Sequence, residues 1–189
     1  TRFDGSLITA TPNSDEGRRL LFTARYRDRE ERSFVRSVLR PGDYAVDLGA
    51  NIGLYSLLMS RLVGPSGRVT AIEAEPRNAA RLRRNVLLNG YTNIVVVEKG
   101  AADDWQILRL HLSSSNDGMH SFVADEGIGD IEVQCEPLSS LILPRKPRLL
   151  KIDIEGFEFP VLARYFAETA SDLLPEFMVI EDWEEIRRG

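Results

Sequence analysis

The sequence predicts an α/β fold, doubly wound around a mostly parallel sheet, with a β-rich insertion before the fourth core strand. Three observations predict it. Short apolar stretches alternate with segments whose apolar residues recur at helical spacing, the pattern of βαβ units with right-handed crossovers. A glycine turn, DLGANIG at 47–53, follows the first of these stretches. Between 105 and 137 the pattern changes to strict alternation, which marks half-buried antiparallel strands. A chain of 189 residues with 43% hydrophobic content supports one sizeable core, so 1–189 is read as a single domain. It comprises an N-terminal segment and helix (1–40) and a core (41–181) that contains the insertion (105–137).

From Arg29 to Arg40 the apolar residues Phe34, Val35, Val38 and Leu39 recur at helical spacing until Pro41-Gly42 breaks the pattern. DYAVDL at 43–48 is the first strand; after the turn, LYSLLMSRLV has the composition of a buried helix, ended by Gly64-Pro65-Ser66-Gly67. VTAIEAE at 69–75 is the second strand. Pro76 opens a helix with Ala79, Leu82, Val86 and Leu87 facing inward, arginines on the solvated side and Asn89-Gly90 as its stop. NIVVVEK at 93–99 is the third strand. In the insertion Leu108, Leu110 and Leu112 alternate with Ile107, Arg109 and His111, and Ile131, Val133 and Cys135 with Glu132 and Gln134; a polar loop lies between. RLLKIDI at 148–154 resumes the sheet, Pro160 to Phe166 is helical, and FMVIE at 177–181 is the fifth strand.

The net charge of −5 disfavours a nucleic-acid partner, which needs a basic surface to neutralise phosphates. Cys135 is the only cysteine, so a disulfide framework and a cysteine zinc site are excluded and the cytoplasm is the expected compartment. No apolar run approaches the roughly 20 residues of a membrane span, and Thr1 to Ala10 lack the order of a signal peptide.

In open parallel sheets the ligand sits beyond the carboxyl ends of the strands, where the strand order reverses. The residues just after each strand are therefore the informative ones. Gly49 permits a sharp turn and Gly53 a close approach of the next helix to the sheet, leaving backbone between them free to touch a ligand. The spacing lacks the middle glycine that makes room for a pyrophosphate, so a cofactor without one fits better. Asp47 is an acceptor-only carboxylate at a strand exit, suited to a cationic ligand or to fixing the loop. Glu73, at the exit of the next strand, is placed to accept both hydroxyls of a ribose. A tight turn beside a solvated carboxylate is the alternative at this point.

KIDIEG at 151–156 puts Lys151 and Asp153 on one side of a strand and Ile152 and Ile154 on the other, with Glu155 at the exit. Charged groups ending a core strand must be hydrated, paired or used. For Lys151, a structural ion pair with Glu155 or Glu158 is the stronger reading than direct catalysis. Of the two histidines, His111 lies on the outward face of a strand, and His120, in the loop 113–121, would serve as general base if that loop closes over the site. Trp105, Phe122, Phe157 and Trp183 are aromatic candidates for an acceptor pocket, although such residues more often pack in a core.

Over residues 41–181 the chain resembles the FkbM-type S-adenosylmethionine (SAM)-dependent methyltransferases. DLGANIG is similar to the family's first motif, AIEAEP at 71–76 to its second, RRNVLLNG at 83–90 to the following helix and LLKIDIEG at 149–156 to its most characteristic stretch. Asn116 and Gly118 match its glycine-containing loop loosely. The resemblance implies a Rossmann-like class I methyltransferase fold and transfer of a methyl group from SAM, usually to oxygen. It places Asp47, Gly49, Ala50 and Asn51 against the methionine part of the cofactor, Glu73 at its ribose, and Gly100 and Ala101 at the adenine, with Gly53 and Ala74 as further cofactor-binding residues. Asp153 becomes the first candidate to orient or deprotonate the acceptor, with Glu155, His120 and Lys151 as further catalytic candidates. Asp153 and Glu155 would alternatively hold a divalent metal, which is not favoured.

The resulting expectation is O-methylation of a small-molecule acceptor, a metabolite or sugar-containing natural product. Two rivals remain: an NAD-dependent oxidoreductase on a similar sheet, and a regulatory or interaction module without turnover. Class I methyltransferases usually continue two strands beyond the fifth, whereas this chain ends soon after it. An exposed sheet edge would follow, favouring a homo-oligomer.

Overall fold

In a computed structural model, residues 2–9, 29–111, 129–154 and 156–180 are described. Two short strands, β1 (Arg2–Phe3) and β2 (Ser6–Leu7), form an antiparallel hairpin. Helix α1 (Arg29–Val38) leads to β3 (Tyr44–Leu48), α2 (Leu54–Val63), β4 (Arg68–Ile72), α3 (Pro76–Leu88) and β5 (Ile94–Val97). The insertion follows as β6 (Gly100–Ala102), β7 (Gln106–His111) and β8 (Asp130–Pro137), then the single turn α4 (Leu138–Leu141). The core resumes with β9 (Leu149–Ile152), α5 (Glu158–Glu168) and β10 (Phe177–Ile180).

The main sheet is parallel throughout in the order β10-β9-β3-β4-β5. The chain moves outward from β3 to β5, then crosses back to lay β9 on the other side of β3. The order therefore reverses between β3 and β9, the switch point at which open sheets bind ligands. β3 and β9 are buried at every residue, as central strands covered on both faces must be.

Local chemistry explains the helices beside the sheet. α2 is apolar around most of its circumference and almost wholly buried, with Leu57, Leu58 and Met59 each at most 1% exposed. Its buried Ser60 hydroxyl donates to Asn93 Oδ1 at 2.5 Å, which satisfies a polar group that would otherwise be costly to bury. Pro76 starts α3 with its fixed φ, and the Glu75 side chain caps the helix by accepting from the Asn78 N–H at 2.7 Å.

Several expectations need correction. Leu87, expected to face inward on α3, is 81% exposed; the inward face carries Asn78, Ala79, Leu82 and Asn85. A hydrophobicity pattern cannot register asparagines whose amides are satisfied in the interior. Gly100 and Ala101 belong to a strand that the sequence pattern did not show, β6, which pairs in parallel with β8, and both are buried. Trp105 is 60% exposed and so belongs to no core. His111 is not simply solvated, because its Nδ1 lies 2.8 Å from Asp130 Oδ1 on the partner strand. The insertion itself is β-rich as read, with β7 and β8 antiparallel from Gln106 to His111. Among the described residues β10 forms an outer edge of the main sheet, and no helix is long and apolar enough to cross a membrane.

Candidate functional site

The turn after β3 is held from both neighbouring strands. The Gly49 and Ala50 N–H groups both donate to the Ile72 carbonyl at the end of β4, at 3.0 and 2.9 Å, and the Asp153 N–H donates to the Leu48 carbonyl at 3.0 Å. Gly49 has φ +80°, and a Cβ built on it would stand 1.7 Å from the Asp153 carbonyl oxygen. Only glycine fits there, for steric as well as conformational reasons. The sequence motifs DLGANIG and KIDIEG therefore touch. Gly53 also needs its positive φ of +96°, but its missing side chain makes room for Leu82 of α3, where a Cβ would meet Cδ1 at 2.3 Å, rather than for the sheet.

Asn51 adopts a left-handed φ of +48° and stabilises the turn by accepting the Ile52 N–H on its own Oδ1 at 2.7 Å. Its backbone N–H donates to Glu73 Oε2 at 2.7 Å, and the Glu75 N–H donates to Glu73 Oε1 at 2.9 Å. Glu73 thus bridges the exits of β3 and β4 while remaining 8% exposed. Burial pushes its carboxyl up to about 7; the two backbone donors pull it down, and the carboxylates of Glu75 and Asp47 add to the rise. Ala74, beside it, is half-buried and packs against the core of the insertion.

Asp47 is 1% exposed and accepts from Ser56 Oγ, on α2, at 2.5 Å. Its Oδ1 is buried without a hydrogen-bond partner. Burial raises its pKa, and the cation that opposes this is Lys151, which lies opposite it in the β3–β9 register. The Lys151 ammonium donates to Asp153 Oδ2 at 3.1 Å and sits 4.7 Å from the centre of the Tyr55 ring. Desolvation alone would favour neutral lysine, but the carboxylates of Asp153 and Asp47 outweigh it and hold its pKa above the usual value. Tyr55 in turn donates its hydroxyl to Glu31 Oε2 at 2.6 Å, tying α1 to this charged group.

The ion pair expected between Lys151 and Glu155 or Glu158 takes another form. Lys151 pairs with Asp153, while Glu158 accepts the Ile154 and Gly156 N–H groups at 3.0–3.1 Å and clasps the exit of β9. The reason is the strand's own alternation, which places residues two apart on one face. Asp153 keeps 30% of its side chain exposed, so it is both paired and reachable. Phe157 packs against the core and the insertion. Glu155, His120, Asn116, Gly118, Phe122 and Trp183 lie outside the described residues. Among the described residues no group of three or more His, Cys, Asp or Glu side chains is placed to hold a metal ion. Ser56, Tyr55 and Asn85 were missed by sequence reasoning, as was the part of Glu158 in clasping the exit of β9. For Tyr55 and Ser56 the available signal was position, in the first turn of a helix that starts on the glycine turn.

The methyltransferase FkbM domain matches residues 47–182, from Asp47 at the end of β3 to just beyond β10. The chain belongs to the FkbM methyltransferase domain family. In sequence this family member is similar to the protein-L-isoaspartate O-methyltransferase of Aeropyrum pernix, with 41% identity over 61 residues, 32% of this chain and 24% of that protein. It is also similar to methyltransferase sdnD of Sordaria araneosa, with 28% identity over 175 residues, 75% of this chain and 66% of that protein. The match spans about a quarter of the length of the isoaspartate methyltransferases. In fold it is similar to a SAM-dependent O-methyltransferase from Thermotoga maritima, with a TM-score of 0.52, 16% identity and coverage of 89% of this chain and 51% of that one. A precorrin-6y C5,15-methyltransferase from Geobacter metallireducens gives a TM-score of 0.51 at 19% identity, covering 86% and 68% of the two chains. These likenesses show the fold, the Rossmann-like class I methyltransferase sheet.

Proposed function

We propose that this FkbM domain transfers a methyl group from SAM to a hydroxyl of a small metabolite or sugar-containing product. The observation that carries the proposal is the abutment of the glycine turn on the Asp153 backbone, which sets an accessible carboxylate directly beside the turn that would hold the cofactor. The residues fit SAM in three respects. The turn lacks the glycine spacing for a pyrophosphate, Glu73 offers acceptor lone pairs at the second strand end, and a carboxylate pair balanced by only one lysine suits a ligand that is itself a cation.

When bound, SAM supplies an electrophilic methyl group on a sulfonium. Gly49, Ala50, Asn51 and Gly53 would line its methionine part, with Asp47 acting through the turn, since its carboxylate is directed at Ser56 and Lys151. Glu73 and Ala74 would take the ribose, and Gly100 and Ala101 would border the adenine. Asp153 would accept a hydrogen bond from the acceptor hydroxyl, aligning it and drawing off its proton as the new bond forms. Lys151 would hold Asp153 in place. Glu155 and His120 remain candidates for the same proton.

Calorimetric titration with SAM and its demethylated product, S-adenosylhomocysteine, tests the cofactor assignment. A Glu73→Ala variant removes a charged acceptor from the ribose hydroxyls, worth about 1.5–3 kcal/mol per hydrogen bond, so affinity should fall at least about tenfold. Wild-type protein that binds neither ligand would overturn the proposal. With a hydroxylated acceptor, Asp153→Asn should lower kcat by about a hundredfold or more with SAM affinity kept.

A further inference from the structure

We propose that Asn85 is a positioning residue that makes the N-terminal hairpin part of the cofactor-binding unit, so that docking of residues 2–9 and binding at the glycine turn strengthen each other. The inference rests on the reading of that turn as the SAM site. Asn85 is fully buried in α3, and both ends of its amide are committed. Its Nδ2 donates to the Ile52 carbonyl of the glycine turn at 2.9 Å. Its Oδ1 accepts from the Thr9 N–H at 2.9 Å and from the Thr9 hydroxyl at 2.7 Å.

One side chain therefore joins the cofactor turn to the chain just after β2. One helical turn on, at the C-terminal cap of α3, Asn89 grips the same segment, accepting the Leu7 N–H at 2.7 Å and donating to the Leu7 carbonyl at 2.7 Å. Between the two asparagines Ile8, 1% exposed, packs with Ile52, Leu54 and Leu57, the residues that end the turn and begin α2. The Ser6 and Tyr91 hydroxyls bond at 2.9 Å and complete the attachment.

The turn is consequently braced on two sides. Glu73 holds the Asn51 N–H, and Asn85 holds the carbonyl of the next residue. Asn51 stands in a left-handed conformation, which asparagine reaches at less cost than most L-residues and which its own Oδ1, accepting the Ile52 N–H, supports in the ordered turn. If the hairpin leaves α3, Asn85 Oδ1 loses both of its Thr9 donors and Ile8 no longer covers the turn. The turn is then free to relax, and a ligand that needs its ordered form binds more weakly. By thermodynamic reciprocity the ligand must then hold the hairpin down by the same factor.

The test uses Asn89, which grips the hairpin through Leu7 and has no hydrogen bond to the glycine turn. Asn89→Ala in the full chain should raise the dissociation constant for S-adenosylhomocysteine about fivefold or more, the lower end of typical couplings between sites. Asn85→Asp, which keeps an acceptor for Thr9 but loses the donor to Ile52, should have a larger effect. In the wild type, S-adenosylhomocysteine should slow amide exchange at Leu7 and Thr9, a readout that decides the matter even if either variant fails to fold. Unchanged exchange at both amides on saturation, or unchanged affinity in a folded Asn89→Ala, would overturn the coupling while leaving the cofactor assignment intact. Failure of the wild type to bind would instead overturn the assignment on which the coupling rests.

Discussion

Affinity for SAM should depend on pH through Glu73, and the structure sets the size of the effect. The carboxyl is pushed up to about 7 chiefly by burial, against the pull of the Glu75 and Asn51 N–H donors. A ribose hydroxyl donates to an ionised carboxylate, so binding requires that Glu73 give up its proton. At a pH about one unit below this pKa roughly a tenth of the protein is ionised, and the apparent dissociation constant should be about tenfold larger than at high pH. The sign for stability is opposite. Because the folded pKa lies above the ordinary value of 4.5, the ligand-free protein holds this proton more tightly than the unfolded chain does. The contribution is greatest below about 4.5 and is lost as the pH rises through about 7, on the order of 3 kcal/mol in all. Calorimetry at about pH 6, 7 and 8, in buffers of different ionisation enthalpy, reads both the affinity and the proton released. A Glu73→Gln variant supplies the control for the titration of the SAM amino group. Parallel pH profiles for wild type and variant would refute the assignment of the titration to Glu73.

Two further outcomes follow from the packing. Gly49→Ala should abolish SAM binding and lower the thermal midpoint, because its Cβ would stand 1.7 Å from a backbone carbonyl that cannot move without shifting β9; a variant with wild-type affinity would contradict the close approach. Lys151→Met should destabilise the fold by about 3–5 kcal/mol in urea, since Asp47 and Asp153 lose the cation between them; an unchanged urea midpoint would show that the carboxylates find another partner.

How much of this was legible beforehand varies with the kind of interaction. Asp47, Gly49, Glu73 and Asp153 could be singled out because each stands at the end of a strand or directly after it, and strands are readable from short apolar runs. The partners of those residues were not legible. Sequence spacing assigned Lys151 to Glu155 or Glu158, yet the ammonium meets Asp153, and Glu158 turns to backbone N–H groups instead. Asn85 was invisible because a buried amide reads as a polar surface residue until its hydrogen bonds are known. Leu87 failed in the reverse sense, an apolar residue left 81% exposed.

The sequence by itself determined the parallel α/β architecture, the position of the glycine turn and the family motifs, because periodicity, glycine placement and strand-end carboxylates are local properties of the chain. Only the tertiary structure decided that β9 lies against β3, and with it that Asp153 touches Gly49, that Lys151 lies opposite Asp47, and that the N-terminal hairpin is fastened behind the turn. Those contacts join residues distant in the chain, and their partners are selected by burial and by hydrogen-bond satisfaction, which exist only once the sheet has closed the switch point.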